Sequence, residues 1–294
     1  MSDTKRPSRI YVLSVYIKRI LRWRRDSSPY LSGDAFAAIA DVVIGGPKWR
    51  GKNPTTAEIS KARIIYCRSD LLQNFLNSMQ VQINAKVIIA GNSDYEFHKR
   101  LDNVPDSVSA LFLQNSFISD NNRIFTLPIG IENFRFGVNG HPRLMRPSLK
   151  LSSKRRMILF GPFGNTHPLR LEISKRYSLT EGPWEILEGR WKPRNYAKVS
   201  REFKWVASVR GNGIDTHRLW ETLYRGSIPI VLHDIWSDSL SYLSLPIILV
   251  ESWEPEALRE IVIDDFYKTA SSPKQMEALW MPYWRDLIQK KLDE

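Results

Sequence analysis

Short apolar runs separated by polar, turn-forming segments recur along the chain. Runs of four or five residues rich in β-branched and aromatic side chains predict β-strands. They fall at residues 63–67, 86–90, 110–114, 124–127 and 157–160. Residues 70–79 carry a helical pattern, and residues 35–44 are predicted to be helical or buried. Strands that alternate with helices are typical of an α/β protein built on parallel sheets.

The stretch 204–233 shows this alternation most clearly. An apolar run leads into the turn Gly211–Gly213, after which Asp215 or Thr216 is placed to cap a helix that Gly226 ends. A second apolar run follows and predicts the next strand. A strand that enters a helix N-terminus through small residues favours anion binding, because free N–H groups and the helix dipole both point at the ligand.

Charged residues lie at the same corner of the predicted structure. At about 100° per residue, the helix divides into an apolar and a polar side. The apolar side holds Leu219, Trp220, Leu223 and Tyr224, and the polar side holds His217, Arg218, Glu221 and Arg225. One interpretation is an ordinary amphipathic helix with a solvated charged face. We favour a nucleotide-diphosphate site, because the polar side begins at the glycine turn and Arg210 precedes that turn.

These residues resemble the donor-binding segment of exostosin-like glycosyltransferases of the two-Rossmann (GT-B) architecture. The resemblance is carried by Arg-Gly-Asn-Gly at 210–213 and by Asp-x-His-Arg-x-Trp-Glu-x-Leu-Tyr-x-Gly-x-Ile-Pro-Ile-Val at 215–231. Residues 245–250 and Trp253 fit the same pattern, and residues 127–133 fit it more loosely. The resemblance implies two Rossmann-like domains whose parallel sheets face an interdomain cleft. It also implies inverting sugar transfer from a nucleotide sugar without an Asp-x-Asp metal pair, and the chain contains no such pair.

Sugar transfer requires stabilisation of the departing nucleotide diphosphate and activation of the acceptor hydroxyl. For the donor we predict a set of residues from two loops and one helix, with Glu221 on the ribose. The set is Arg210, Gly211, Asn212, Gly213, His217, Arg218, Glu221, Asn165 and Thr166. The first-domain general base is predicted to be Asp94 or Asp34, with Glu132 as a third option. A turn or N-cap role is the alternative for either aspartate, and helix capping is the alternative for Thr166.

The net charge of +12 is unevenly distributed over the 294 residues. Residues 1–25 hold eight Lys or Arg and one Asp, and residues 141–156 hold six Lys or Arg and no acid. Nucleic-acid binders usually carry a basic face within the fold, so an anionic membrane surface contacted by residues 1–25 is the favoured partner. A first helix that docks on the core and leaves its basic face solvated is the alternative. The single cysteine, Cys67, lies in an apolar run and is expected to be a buried thiol in a reducing compartment.

The predicted organisation has five parts. They are a basic amphipathic segment at 1–30, an acceptor domain at 31–140, a basic linker at 141–156, a nucleotide-sugar domain at 157–270 and a returning C-terminal helix at 271–294. The expected enzyme is cytoplasmic, peripheral on the inner face of a bacterial plasma membrane, and uses a UDP-sugar in lipopolysaccharide, capsule or other surface polysaccharide synthesis. It needs no metal or other cofactor, and a glycan or glycolipid is its acceptor. Three alternatives remain open: a fucosyltransferase-type enzyme with a GDP donor, a non-catalytic nucleotide-sugar-binding protein, and a nucleic-acid-binding protein.

Overall fold

The computed structural model describes residues 27–46, 53–78, 83–148, 156–263 and 276–294. The predicted membrane-binding residues 1–25 lie outside these ranges. Within them the chain is an α/β protein with two five-stranded parallel sheets, as the alternating pattern predicts. No helix in the described ranges combines the length and apolar character that crossing a bilayer requires.

The first sheet forms from the first half of the chain, and its strands follow one another in sequence order. They are β1 (Val42–Ile44), β2 (Ile64–Arg68), β3 (Val87–Gly91), β4 (Ala110–Gln114) and β5 (Ile124–Leu127). The three central strands are almost wholly apolar, because both faces of a covered parallel sheet are buried. Four of the five predicted strands lie in this sheet and are confirmed to within one residue at each end.

Helices cover both faces of the first sheet. Helix α1 (Gly33–Ala38) begins at Ser32, whose side chain accepts a hydrogen bond from Ala35 N at 3.2 Å. Helix α2 (Thr56–Lys61) has a reciprocal capping box between Thr55 and Glu58. A 3₁₀ turn at Ser69–Leu71 leads into α3 (Leu72–Ser78), so the helix predicted at 70–79 is confirmed. The run 35–44 holds the end of α1 and strand β1, which is why its periodicity is ambiguous.

The second sheet has the order β10-β9-β8-β6-β7. Its strands are β6 (Arg156–Phe160), β7 (Trp184–Ile186), β8 (Phe203–Ala207), β9 (Ile228–Leu232) and β10 (Ile248–Val250). The chain therefore runs outward from β6 to the edge strand β7, returns to pair β8 on the other side of β6, and continues outward in the opposite direction. The strand order reverses between β6 and β8, which makes this the topological switch point of the sheet.

The helices of the second half pack around both sheets. They are α4 (Pro168–Leu179), α5 (Pro193–Ser200), α6 (His217–Tyr224), α7 (Ile235–Asp238), α8 (Pro255–Ile263) and α9 (Met281–Asp293). Helix α9 returns to the first sheet, where the Trp284 ring meets the Phe36 ring edge-on at 5.5 Å. Two hydrogen bonds fix its last turn, from Arg63 to the Leu292 carbonyl at 3.1 Å and from Ser109 to the Lys291 carbonyl at 2.7 Å.

One apolar core joins the two sheets. The apolar side of α6, including Trp220 and Tyr224, is buried in the same cluster as Phe36, Phe112 and Trp284. The Tyr224 hydroxyl also donates to the Leu279 carbonyl and accepts from Leu31 N. Helix α6 therefore holds Leu31, near the start of the first half, together with Leu279, just before α9.

The predicted basic linker is packed where the structure describes it. Residues Pro142–Met145 form a 3₁₀ turn in which Met145 is buried. The Leu144 carbonyl accepts hydrogen bonds from Arg201 and Arg225 at 3.2 and 3.0 Å. Arg156, at the end of the predicted linker, is the first residue of β6. Of the cations of this segment, Arg156 thus belongs to the fold as part of a strand, while residues 149–155 lie outside the described ranges.

Candidate functional site

A cleft of about 360 Å³ lies between the two sheets, at the carboxyl ends of their strands. On the first-domain side it is lined by Asp94, after β3, and by Ile129 and Asn139, after β5. The second-domain side comes from the segments that follow β6, β7 and β8. Open parallel sheets bind ligands outside the carboxyl ends of their strands at a switch point. The cleft occupies that position in the second sheet.

The glycine turn between β8 and α6 allows close approach of neighbouring side chains. A Cβ atom on Gly213 would lie 2.7 Å from Asn115 Nδ2, which belongs to the first domain. A Cβ atom on Gly211 would lie 3.1 Å from Arg170 Nη2 and 3.2 Å from Thr166 Oγ1. Both glycines line the cleft, as does Asn212 between them. The turn predicted from the sequence is thus part of the site.

Arg170 fixes the position of this turn. Its guanidinium donates to the Arg210 carbonyl at 2.8 Å, to the Val209 carbonyl at 2.9 Å and to Thr166 Oγ1 at 2.8 Å. Burial, together with the charge of Arg218, lowers the pKa of Arg170 to about 10. Thr166 therefore supports Arg170 and does not line the cleft, and neither does the exposed Asn165. Of the predicted donor residues, these two and Arg210 do not line the cleft.

Among the described residues, Arg218 and Arg170 are the two arginines that line the cleft. The Arg218 side chain is held by aromatic rings and by a backbone carbonyl. Its guanidinium lies over the rings of Phe163 and Tyr196, at 4.9 and 5.1 Å from their centroids, and Nη2 donates to the Pro162 carbonyl. Its Nη1 is buried and has no hydrogen-bond partner among the described residues. The same holds for Tyr196 Oη and Thr216 Oγ1, which belong to cleft-lining residues. Buried polar groups are usually hydrogen-bonded, so three unpaired ones in one cleft favour a polar ligand.

Two polar contacts connect the domains beside the glycine turn. Arg210 forms an ion pair with Glu96 at 2.6 Å, and Asn212 donates to Asp94 Oδ2 at 3.1 Å. Segment 92–97 of the first domain thus meets turn 210–213 of the second. The predicted phosphate-binding cation Arg210 is already paired with a carboxylate, which leaves Arg218 as the better-placed positive charge. Sequence reasoning missed Glu96, whose partner lies 114 residues away.

His217, the first residue of α6, has a fixed orientation. Its Nδ1 lies 2.8 Å from the Gly130 carbonyl oxygen, and since a carbonyl only accepts, Nδ1 carries the proton. A neutral ring then has Nε2 as an acceptor. Gly130 has φ +65°, and a Cβ atom there would lie 2.2 Å from the Leu31 carbonyl oxygen. The fold therefore requires glycine at the position that orients His217.

Asp215 is a buried carboxyl group at the junction of the domains. It accepts hydrogen bonds from Ile129 N and Trp220 Nε1, both at 2.8 Å. Its own backbone N–H donates to Asn115 Oδ1 at 3.0 Å. Burial raises the pKa of Asp215 to about 7, although the donors around it act in the opposite direction. From the sequence Asp215 is only a candidate helix cap; in the structure Thr216 is the N-cap and Asp215 connects the two domains.

The burial of Glu221 and Arg225 argues against the alternative interpretation of a solvated charged face on α6. They form an ion pair at 3.1 Å, and both side chains are almost entirely buried. Glu221 also lines the cleft. A buried pair of this kind loses much of its hydration, so breaking it leaves a costly unpaired charge.

The three predicted candidates for the general base have different environments. Asp94 lines the cleft. Asp34 is fully buried, forms an ion pair with Arg135 at 2.8 Å and does not line the cleft. Glu132 accepts from the backbone N–H groups of Asn139 and Gly140, at 2.7 and 3.3 Å, and does not line it either. Of the three, only Asp94 is placed to meet a ligand in this cleft.

Two further candidate features are the Cys67 thiol, which lies outside the lining of the cleft, and a metal centre. Cys67 is buried in β2, as expected, and burial raises the pKa of its thiol to about 12. Its environment is that of a structural thiol rather than a nucleophile. Among the described residues, no three His, Cys, Asp or Glu side chains are grouped so as to hold a metal ion.

Comparisons with known proteins provide no family assignment. No protein-family model matches the chain, and no curated protein matches its sequence.

Proposed function

We propose that the chain is an inverting, metal-independent glycosyltransferase of GT-B architecture. It would move a sugar from a nucleoside-diphosphate sugar, with UDP the favoured nucleotide, to a glycan or glycolipid. One observation carries the proposal: the cleft at the switch point, beside the N-terminus of α6, is lined by Arg218, Tyr196 and Thr216, and each has a buried polar atom without a hydrogen-bond partner among the described residues.

The chemistry of sugar transfer supports this assignment. As the bond between the sugar and the diphosphate breaks, negative charge develops on the departing phosphate oxygens. Arg218 forms no ion pair with the described residues, so its charge is available to those oxygens, and the free N–H groups at the start of α6 add to it. The two aromatic rings that contact Arg218 hold it in place without neutralising it.

The acceptor would enter from the first-domain side of the cleft. Asp94 is there, and its Oδ2 already accepts a hydrogen bond from Asn212 of the donor turn. A carboxylate across the cleft from the diphosphate site suits a general base that removes the acceptor proton as the sugar inverts. Glu221, which also lines the cleft, is proposed to bind the ribose hydroxyls, with its charge balanced by Arg225.

Nucleotide binding tests the donor site. Isothermal titration of UDP, GDP and CDP in the presence of a metal chelator is expected to show binding, with UDP tightest. Arg218→Ala should weaken it roughly 10- to 150-fold, since a hydrogen bond to a charged group contributes about 1.5–3 kcal/mol. Arg259→Ala, on α8 away from the cleft, is the matched control. Failure of all three nucleotides to bind, or strict dependence on metal, would contradict the proposal.

Turnover tests the catalytic role separately. Release of free nucleoside diphosphate is measured with acceptor present, and product stereochemistry is read by NMR. Asp94→Asn should reduce the turnover number while nucleotide affinity stays within about twofold of the wild type. Unchanged turnover in this variant combined with its loss in His217→Gln would transfer the base role to His217. Nucleotide binding without turnover on any acceptor would favour a non-catalytic binding protein.

The membrane association of the enzyme is a separate part of the proposal. Residues 1–25 carry a net charge of +7, from eight basic residues and one acidic residue. Each cation near an anionic leaflet contributes on the order of 1 kcal/mol. Deleting residues 1–25 should abolish sedimentation with anionic vesicles and preserve turnover on a water-soluble acceptor. Salt-sensitive nucleic-acid binding that survives the deletion would point instead to a nucleic-acid-binding protein.

A further inference from the structure

We propose that Trp191 is the surface on which the nucleobase of the donor stacks. Trp191 lies in the connection between β7 and α5, lines the cleft and is 37% exposed. This inference rests on the proposed nucleotide-sugar function and assigns the base-binding end of the same site.

The orientation of Trp191 leaves its ring faces as the part that can meet a ligand. The indole Nε1 donates to the Glu188 carbonyl at 3.0 Å, so the polar end of the side chain is already paired within its own loop. The neighbouring residues Arg190 and Lys192 are exposed and do not bury the ring. A large aromatic side chain that faces a ligand cleft with its N–H satisfied locally is suited to stacking.

The position of Trp191 relative to the phosphate end also fits a nucleotide. Tyr196, on α5, contacts the Arg218 guanidinium that we assign to the diphosphate. Pro193, at the start of α5, also lines the cleft, and in the sequence it lies between Trp191 and Tyr196. One side of the cleft therefore includes Trp191, Pro193 and Tyr196, with Arg218 in contact with Tyr196. A nucleotide bound along it would have its diphosphate at α6 and its base beside β7.

The topology gives this end of the site room for a base. Strand β7 is the edge strand of the second sheet, so no further described strand closes the cleft beyond it. Every nucleobase has a π-face, and stacking on an aromatic ring is consequently tolerant of base identity. Trp191 should thus contribute to the binding of each nucleoside diphosphate, while other contacts select among them.

The test compares ligands with and without a base. The nucleoside diphosphate that the wild-type chain binds, and inorganic pyrophosphate, are titrated into the wild type, Trp191→Ala, Trp191→Phe and Phe136→Ala. Trp191→Ala should lose roughly 5- to 150-fold in affinity for the nucleotide and keep its affinity for pyrophosphate. Trp191→Phe should recover most of the loss. Phe136 is an aromatic residue of comparable exposure (48%) outside the cleft, and its variant should bind as the wild type does.

The outcomes separate this inference from the proposed function. Nucleotide binding by Trp191→Ala equal to that of the wild type would overturn the stacking role and leave the glycosyltransferase proposal standing. Unchanged nucleotide affinity together with a raised KM for the acceptor would also overturn the stacking role, and would assign the Trp191 ring to an acceptor sugar. Equal loss of nucleotide and pyrophosphate affinity would mean that the substitution disturbs the whole cleft, which also contradicts a base-specific role. Absence of all nucleotide binding in the wild type would instead refute the function itself.

Discussion

The buried carboxyl group of Asp215 makes the stability of the protein depend on pH in an unusual direction. Most carboxyl groups in folded proteins have lowered or ordinary pKa values, and their contribution to stability is lost in acid. Burial instead raises the pKa of Asp215 to about 7. Between about pH 4 and 7 the folded protein therefore retains a proton that the unfolded chain has released, since an unperturbed Asp has a pKa of about 3.9.

The magnitude follows from this difference in pKa. Because the folded state binds more protons in this range, its free energy of unfolding falls as the pH rises. One pKa unit corresponds to about 1.4 kcal/mol, so the shift of about three units to the value near 7 amounts to roughly 4 kcal/mol. The contribution of Asp215 is fully present below about pH 4 and is lost as the pH passes through 7. Asp215→Asn cannot ionise and removes this dependence.

The assay is urea unfolding followed by tryptophan fluorescence, from pH 4 to pH 8.5. The free energy of unfolding of Asp215→Asn minus that of the wild type should increase by roughly 4 kcal/mol between pH 4 and 7 and then level off. At every pH the variant is also expected to lose a constant amount of unfolding free energy, an offset of about 1–3 kcal/mol, because the amide cannot accept all the hydrogen bonds of the carboxyl group. Asp286→Asn, the same change at an exposed position on α9, controls for the loss of a surface carboxyl group.

The pH dependence, and not the offset, decides the outcome. A difference between variant and wild type that stays constant from pH 4 to 8.5 would show that Asp215 remains ionised in the folded protein. The hydrogen bonds from Ile129 N and Trp220 Nε1 would then outweigh the desolvation of the carboxylate. A difference that decreases with rising pH would refute the reasoning outright.

Two further predictions concern a glycine of the cleft and an exposed histidine. Gly213→Ala should lower the free energy of unfolding by about 1–3 kcal/mol, because the added Cβ would approach Asn115 Nδ2 to 2.7 Å. Gly164→Ala is the control and should change the free energy of unfolding little, since no neighbour would lie closer than 3.8 Å to its Cβ. Equal urea midpoints for the two variants would contradict this prediction. His233 donates to two carboxylates that raise the pKa of its ring, so its stabilising contacts are present in acid and are lost as the pH rises through that raised pKa. An NMR titration of the ring should show a midpoint above 6.5 in the wild type and a lower midpoint in Glu251→Gln; a wild-type midpoint at or below 6.5 would be evidence against the paired geometry.

Local sequence signals account for much of the fold. The apolar runs at 63–67 and 124–127 become β2 and β5, because a strand buried on both faces needs little beyond a short β-branched stretch. The α6 helix follows from its apolar side and from the turn before it, and it ends at Arg225, followed by Gly226 with φ +74°. Residues 35–44 were ambiguous because a short helix and a short strand share one apolar run.

The parts of the site that escaped prediction depend on contacts between distant residues. The sequence left open whether the polar side of α6 is solvated. In the structure Glu221 and Arg225 are buried, and Arg225 donates a hydrogen bond to the carbonyl of Leu144, 81 residues away. Glu96 has no motif of its own and gains meaning only from Arg210 across the domain junction. The sequence does carry a signal for Trp191, which is an isolated tryptophan among charged loop residues. Its position beside the cleft could not be predicted without the strand order of the second sheet.

The apolar core around α6 limits how this protein can move when it binds a ligand. Hinge bending between two domains needs an interface that can open without exposing much apolar surface, and here Trp220 and Tyr224 are buried against side chains of the first sheet. Opening that interface would expose two large aromatic side chains, each of which buries about 150–250 Å². We therefore expect rigid domains, with ligand entry accommodated where segments 92–97 and 210–213 meet, since the Arg210–Glu96 and Asn212–Asp94 contacts there are polar.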